Sequence, residues 1–293
     1  MKGKTNMNSK EKNTQPYHKV ITAEHKWYQL NLKEVFKYKD LIILFTKRNF
    51  QIRYKQTVLG PAWLFINPII SSLIYTFIFG GIAGIGTGGV PQMLFYMSGN
   101  AIWTVFSGSL TRNASTFTAN AGVFGKVYFP RLTTPISNML TTIIEFGIQM
   151  IMVLVFMVYF LILGEVHPNW VMWPLIPIVL VHLGLMGMGL GIIISSFTTK
   201  YRDLSILVGF AVSLWMYITP VVYPLSQAGD GGLRTILLIN PVTAPIEFFR
   251  YAFLNSGSVE PLYLAWSWFF TILVVVLGIM VFNKVEKTFM DTV

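Results

Sequence analysis

After a polar start, six apolar stretches separated by short polar ones divide the chain, at about 62–84, 92–111, within 133–163, 171–197, 205–223 and 264–283. Each comes close to the ~20 residues that an α-helix needs to cross a hydrocarbon core. The apolar runs lack the alternation of a transmembrane barrel strand, so helices are the predicted element. Pro68 interrupts the first stretch, and the second, QMLFYMSGNAIWTVFSGSLT, is polar-spotted and the weakest of the set. Between the fifth and sixth lies LRTILLINPVTAPIEFFRYAFLN, apolar but broken at Asn240-Pro241 and Pro245. Its pieces of about ten residues are too short to span. Two short helices dipping partway in from the outer surface fit this pattern; an amphipathic loop lying on the bilayer is the other reading. Upstream, from Glu34 to Tyr54, apolar Val35, Tyr38, Leu41, Ile42, Phe45 and Ile52 recur at roughly helical spacing among Lys33, Lys37, Lys47 and Arg48. That pattern predicts an amphipathic interface helix over 31–57, with its apolar face in the headgroup boundary and its cations toward anionic lipid. Gly60-Pro61 ends it and turns the chain into the first span. Residues 1–30 read as a disordered cytoplasmic tail and 58–293 as one six-helix membrane domain.

Charge orients this frame. Only 12% of the 293 residues are charged and 54% are hydrophobic, where a soluble domain carries about 25% charge. The net charge of +10 would suggest nucleic acid in a soluble protein, but 13 of the 22 Lys and Arg precede position 56. With the N-terminus in the cytoplasm, all basic residues except Arg234 and Arg250 fall on the inner side. This is the positive-inside pattern, and it places both termini in the cytoplasm. The basic excess is thus a matter of topology, and no nucleic-acid partner is expected. No apolar segment with a small-residue cleavage site follows the basic start, so the N-terminus reads as retained. There is no cysteine, which excludes disulfides and thiolate chemistry. His18, His25, His167 and His182 are scattered without metal-ligand spacing, so no metal site is predicted.

Chemistry-bearing motifs are sparse. No G-x-x-x-x-G-K-[ST] phosphate loop is present, and the glycine clusters at 80–89 and 184–191 lack its lysine. In or beside membrane spans, such glycines permit close helix packing. No Ser/His/acid set or carboxylate pair suggests a catalytic residue. Glu145 and His182 fall inside predicted spans, where ionisable groups carry a default functional hypothesis. Glu145 is expected to pair with a basic residue of a neighbouring loop, and His182 to be packed or hydrogen-bonded. Glu247 and Arg250, three apart, can pair on one helix face. Trp170, Trp173, Trp215, Tyr217, Tyr223, Tyr263, Trp266 and Trp268 cluster near outer ends; an interfacial aromatic belt and a channel lining are both open readings. On the inner side, NAGVFGKVYFPRLTTP (Asn120–Pro135) and TTKYRDL (Thr198–Leu204) suit contact with a cytoplasmic partner as well as plain turns.

In order along the chain, RYKQTVLGPAW (Arg53–Trp63), FGKVYFPRLTTP (Phe124–Pro135), KYRDL (Lys200–Leu204), TPVVYP (Thr219–Pro224), INPVTAPIEFFR (Ile239–Arg250) and the tail KVEKTFMDTV resemble one family. It is that of the transmembrane subunits of ABC-2 type exporters, in the branch that exports lipid-linked polysaccharides, and the resemblance covers about 34–293. It implies an all-α integral membrane protein with six transmembrane helices, an N-terminal interface helix and outer re-entrant helices, in a bacterial cell membrane. It implies a homodimer of permease chains docked on two copies of a cytoplasmic ABC ATPase. ATP and Mg are expected on that partner and no cofactor on this chain. The substrate implied is an undecaprenyl-pyrophosphate-linked glycan, O-antigen or teichoic acid, with a slight lean to teichoic acid on overall similarity. By the same resemblance, Arg53, Tyr54, Lys55, Trp63 and Arg131 line the headgroup path. Phe124, Lys126, Tyr128, Tyr201, Arg202 and Asp203 couple to the ATPase, and Asn240, Pro241, Glu247 and Arg250 mark the outer re-entrant region. A permease of this family for another lipid or a drug is one alternative. A secondary transporter would show internal repeats and denser intramembrane charge. A membrane glycosyltransferase would need acidic catalytic residues, for which Asp203 alone is thin support.

Overall fold

The computed structural model describes residues 32–55, 59–198, 201, 203–229 and 231–289, and among these every regular element is helical. The tail over 1–30, residues 56–58 and Arg202 lie outside the described residues. Helices α1 (Leu32–Lys37) and α2 (Lys39–Tyr54) meet at Tyr38. They lead to α3 (Trp63–Tyr75), which opens through a 3-10 turn at Gly60–Ala62 and continues as a π-helix over Thr76–Ile82. Then come α4 (Gln92–Ala114), α5 (Thr116–Phe124), α6 (Thr133–Ile162) and α7 (Ile176–Thr198). They are followed by α8 (Leu204–Ile218), α9 (Gly232–Ile239), α10 (Thr243–Leu254) and α11 (Pro261–Phe289).

Four helical stretches among the described residues are long and apolar enough to cross a membrane: Gly60–Ile82, Thr133–Ile162, Trp170–Thr198 and Pro261–Val285. The chain is therefore a multi-pass membrane protein. The other two predicted stretches differ in character. Helix α4 has 23 residues but is polar-spotted, and α8 is apolar but has only 15. The fifth stretch was expected to reach 223; its helix stops at Ile218, and Thr219 leaves in extended conformation.

Helix α4 is the axis of the bundle. It packs along α7 and α6, with α3 and α8 against its remaining side, while α11 covers the far side of α7. Leu94, Phe95, Met97, Ile102, Val105 and Phe106 of α4 are all fully buried. Its approach to α7 is backbone-close, because a Cβ on Gly187 would lie 2.4 Å from the Phe106 carbonyl oxygen and one on Gly191 2.6 Å from that of Leu110. The glycines of 184–191 thus serve helix packing. A second cluster joins the α2/α5 end, where Ile42, Phe45, Phe117, Phe124, Phe129, Met139, Ile192 and Phe282 pack together.

Three local expectations are corrected. Pro68 does not interrupt the first span, since α3 runs through it. Pro245 does not break the second short helix; it occupies the first turn of α10, where backbone N–H groups have no intrahelical partner anyway. The interface helix also turns the other way. Val35, Ile42 and Phe45, expected in the headgroups, are buried against the protein, while Phe36, Ile43 and Leu44 are exposed; of the expected stripe, Ile52 stays exposed. Helical periodicity marks an apolar stripe without saying whether lipid or protein covers it.

Candidate functional site

The C-terminal turn of α2 packs against α6 and builds a polar constellation there. Polar side chains fix its position. Asn49 donates to Asn138 Oδ1 (2.9 Å) and Asn138 donates to Asn113 Oδ1 (3.2 Å), tying α2 through α6 to α4. Arg48 donates to Asn120 Oδ1 of α5 (3.1 Å), its guanidinium 4.7 Å from the centre of the Phe45 ring. Two turns along α6 from Asn138 stands Glu145, 3% exposed. Arg112 Nη2 of α4 donates to both of its carboxylate oxygens at 2.7 Å. The Tyr54 hydroxyl donates to Oε1 at 3.0 Å, and Arg53 Nη1 stands 3.7 Å from the same oxygen. A low-dielectric site makes such charge-assisted bonds strong and an unpaired carboxylate costly. Burial, then the charge of Glu145, push the Tyr54 phenol up to about 12, against the pull of Arg53 and Arg112. Tyr54 therefore keeps its proton, and so its role as donor, at any ordinary pH.

Beside this cluster opens a cleft of about 270 Å³ lined by Arg53, Tyr54, Trp63, Leu64, Asn67, Pro68, Thr104, Glu145 and Gln149. It offers a largely exposed guanidinium at its rim, an aromatic edge and several amide and hydroxyl groups. That set suits a ligand with an anionic head. Of the expected headgroup residues, Arg53, Tyr54 and Trp63 come together here. Lys55 is exposed beside α2 without lining the cleft. Arg131 does not line this cleft: it is 7% exposed and stands just before α6, its guanidinium 5.4 Å from the centre of the Phe124 ring. Sequence reading missed Arg112, which it counted only as an inner-side charge. It sought a partner for Glu145 in a loop, whereas the partner projects from the last turn of α4. Asn67, Thr104 and Gln149 were also missed. Their only signal was polarity at positions where hydrocarbon-facing residues were expected.

The expected coupling residues separate by exposure. Lys126 and Tyr128 are exposed on the turn after α5, and Tyr201 is exposed after α7. Phe124, by contrast, is 1% exposed and packed on Phe117 and Phe129. Asp203 is exposed just before α8, and Arg202 is outside the described residues.

At the opposite end, Asn240 and Pro241 form the tip between α9 and α10. Trp215 Nε1 donates to Asn240 Oδ1 (3.2 Å), Asn240 Nδ2 donates to Thr219 (2.9 Å), and Trp266 Nε1 donates to the Ile239 carbonyl (2.9 Å). Glu247 and Arg250 do pair, at 2.6 Å, each side chain 2% exposed. Arg250 also donates to the carbonyls of Pro220 (2.9 Å) and Val221 (3.2 Å) and lies 4.1 Å from the centre of the Phe95 ring. It closes the extended segment after α8 onto α4. His182 is buried, its Nε2 3.0 Å from Thr271 Oγ1, and stacks on Trp268 at 4.0 Å, as a packed histidine would. Among the described residues no cluster of His, Asp or Glu could hold a metal ion.

An O-antigen export system permease protein RfbA from Klebsiella pneumoniae is 29% identical over 255 residues, 86% of this chain and 94% of that protein. One from Myxococcus xanthus is 28% identical over 237 residues, 79% of this chain and 87% of its own length. The ABC-2 type transporter family model matches residues 40–254. Because that match runs from α2 through the Glu145 cluster to the Glu247–Arg250 pair and takes in well over half the sequence, the chain belongs to the ABC-2 type transporter family.

Proposed function

We propose that this chain is the transmembrane subunit of an exporter that carries a lipid-linked polysaccharide across a bacterial cell membrane. The observation that carries the reading is its likeness, along nearly the whole of both chains, to permeases named for O-antigen export. That name favours an O-antigen-type glycan over the teichoic acid that overall similarity suggested. The cleft supports the same reading. A diphosphate pays a large desolvation penalty in hydrocarbon, and Arg53 at the cleft mouth supplies a cation where the headgroup leaves the interface.

In this reading, which the positive-inside distribution supports, the α2/α5 end and both termini lie in the cytoplasm. Six helices then cross the membrane, α4 by virtue of its length and α8 with the segment that follows it. The α9–α10 pair re-enters from outside. The contact of its tip with Trp266, five residues into α11, supports this reading. ATP hydrolysis belongs to a separate ABC ATPase, which docks on the exposed Lys126–Tyr128 turn and on the exposed Tyr201 and Asp203. The functional unit holds two permease chains and two ATPase chains. Helix α3 buries only Leu64, Pro68 and Ser72, and α8 only Val212 and Met216, so their apolar faces suit a second copy across the glycan path.

Reconstitution tests this. The chain and its ATPase in liposomes should move an undecaprenyl-diphosphate O-antigen to the opposite leaflet only when ATP and both proteins are present. Preference for a teichoic acid precursor would change the substrate. Absence of any associated ATPase would overturn the exporter reading.

A further inference from the structure

Among the fully buried polar side-chain atoms that line the cleft, one has no hydrogen-bond partner among the described residues. Glu145 is met by Arg112 and Tyr54, and Thr104 donates to the Asn100 carbonyl at 2.8 Å. Gln149 lines the same cleft and is 8% exposed, yet its Oε1 has no partner among the described residues. A buried amide oxygen without a donor costs about 1–3 kcal/mol, so native proteins rarely leave one without a use. Gln149 stands one helical turn beyond Glu145 on α6, so the two share a face, with Cβ atoms about 6 Å apart. Arg53 is the other loosely committed group. At 3.7 Å from Glu145 and with a side chain 58% exposed, it is beyond hydrogen-bond length. It can turn to an incoming anion without breaking a short bond, whereas Arg112, at 2.7 Å from both oxygens, stays with Glu145.

We infer that the cleft takes the junction between a phosphate and the sugar it is bonded to, with Arg53 on the phosphate and Gln149 on a hydroxyl or amide N–H of that first sugar. This rests on the lipid-linked glycan reading above and adds a specificity determinant to it. A bare lipid diphosphate engages Arg53 and leaves Gln149 unpartnered. Attaching the sugar supplies the missing partner. A hydroxyl both donates and accepts, so it satisfies the amide in either orientation. The chain would thereby distinguish a lipid that has received its first sugar from one that has not.

The test is binding to the full chain in nanodiscs with its ATPase partner. Two probes are used: farnesyl diphosphate, and the same lipid carrying N-acetylglucosamine on the terminal phosphate. The wild type should prefer the sugar-bearing probe about fivefold to tenfold, the worth of one neutral hydrogen bond. Gln149→Met and Gln149→Leu should bring that ratio to about one and leave the affinity for farnesyl diphosphate unchanged, which a merely structural role would not do. Arg53→Ala should weaken both probes alike. Equal binding of the two probes by the wild type overturns the inference, as does a ratio that persists in both Gln149 variants. If ATP-driven glycan transport proceeds while the ratio is one, the inference falls and the exporter reading stands. If transport also fails, both fall.

Discussion

The two arginines that meet Glu145 look alike as charges, but the structure assigns them very different weights. Arg112 donates twice at 2.7 Å and its side chain is 18% exposed; Arg53 stands at 3.7 Å and is 58% exposed. Removing one partner of a buried pair costs about 3–5 kcal/mol, chiefly because the other charge is left without compensation. In Arg112→Met the carboxylate keeps the Tyr54 hydroxyl at 3.0 Å and the more distant Arg53, so the loss should sit near or just below the bottom of that range, about 2–3 kcal/mol. Arg53→Met removes a solvent-screened charge and should cost less than about 1 kcal/mol. Unfolding in mixed micelles of increasing SDS fraction measures both on one scale. The double variant Arg112→Met with Glu145→Leu removes the charge that Arg112→Met leaves stranded. It should be more stable than Arg112→Met alone, since an apolar replacement of a buried pair is close to neutral. Equal losses for the two arginines would refute this assignment. So would a double variant worse than either single change.

Other consequences concern helix packing, the Glu247–Arg250 pair and the Tyr54 phenol. Gly187→Ala places a methyl 2.4 Å from the Phe106 carbonyl oxygen and should cost about 1–3 kcal/mol or more by forcing α7 off α4, visible as a lower midpoint in the same unfolding assay. Gly147→Ala, with nothing within 4 Å of the added carbon, should be neutral or stabilising and serves as its control. Arg250→Met should cost about 3–5 kcal/mol by an amount independent of salt, because the Glu247–Arg250 pair is almost wholly buried; a salt-dependent loss would contradict that burial. The Tyr54 phenol, raised to about 12, favours folding while protonated. Its contribution is whole below its ordinary pKa of about 10 and fades as pH climbs through the raised value. An ultraviolet difference titration of wild type against Tyr54→Phe should therefore show its phenolate near pH 12 and not near 10.

Much of the helical frame was legible. The stretch placed within 133–163 is observed as Thr133–Ile162, and the break at Asn240-Pro241 separates α9 from α10. The Glu247–Arg250 pair followed from spacing alone. What spacing could not supply was the environment on each side of a helix. Ile42 and Phe45 recur at the right interval for a lipid-facing stripe but pack on Phe129 and Ile192. Arg112 read as one of several inner-side cations because its partner lies 33 positions away. Gln149 had no signal beyond being polar in an apolar run, and only its closed surroundings make it informative.

Helix α4 shows the physical limit most sharply. Hydropathy identifies a span by what lipid would find there, and it succeeds for helices such as α3 and α11, whose outer faces are apolar and exposed. A helix enclosed by its neighbours meets little lipid, so its composition is set by packing and hydrogen bonding with other helices. Helix α4 can therefore carry Ser98, Ser109 and Asn113, each at most 1% exposed, because Phe95, Gly184 and Ser109 carbonyls accept their hydrogen bonds. Its central position permits the polar spots that weaken the hydropathy signal without requiring them, since α7 is also largely enclosed and stays strongly apolar. The same enclosure lets Arg112 reach Glu145 inside the bundle, so the weakest of the six sequence signals and the strongest polar contact of the site share one permissive condition.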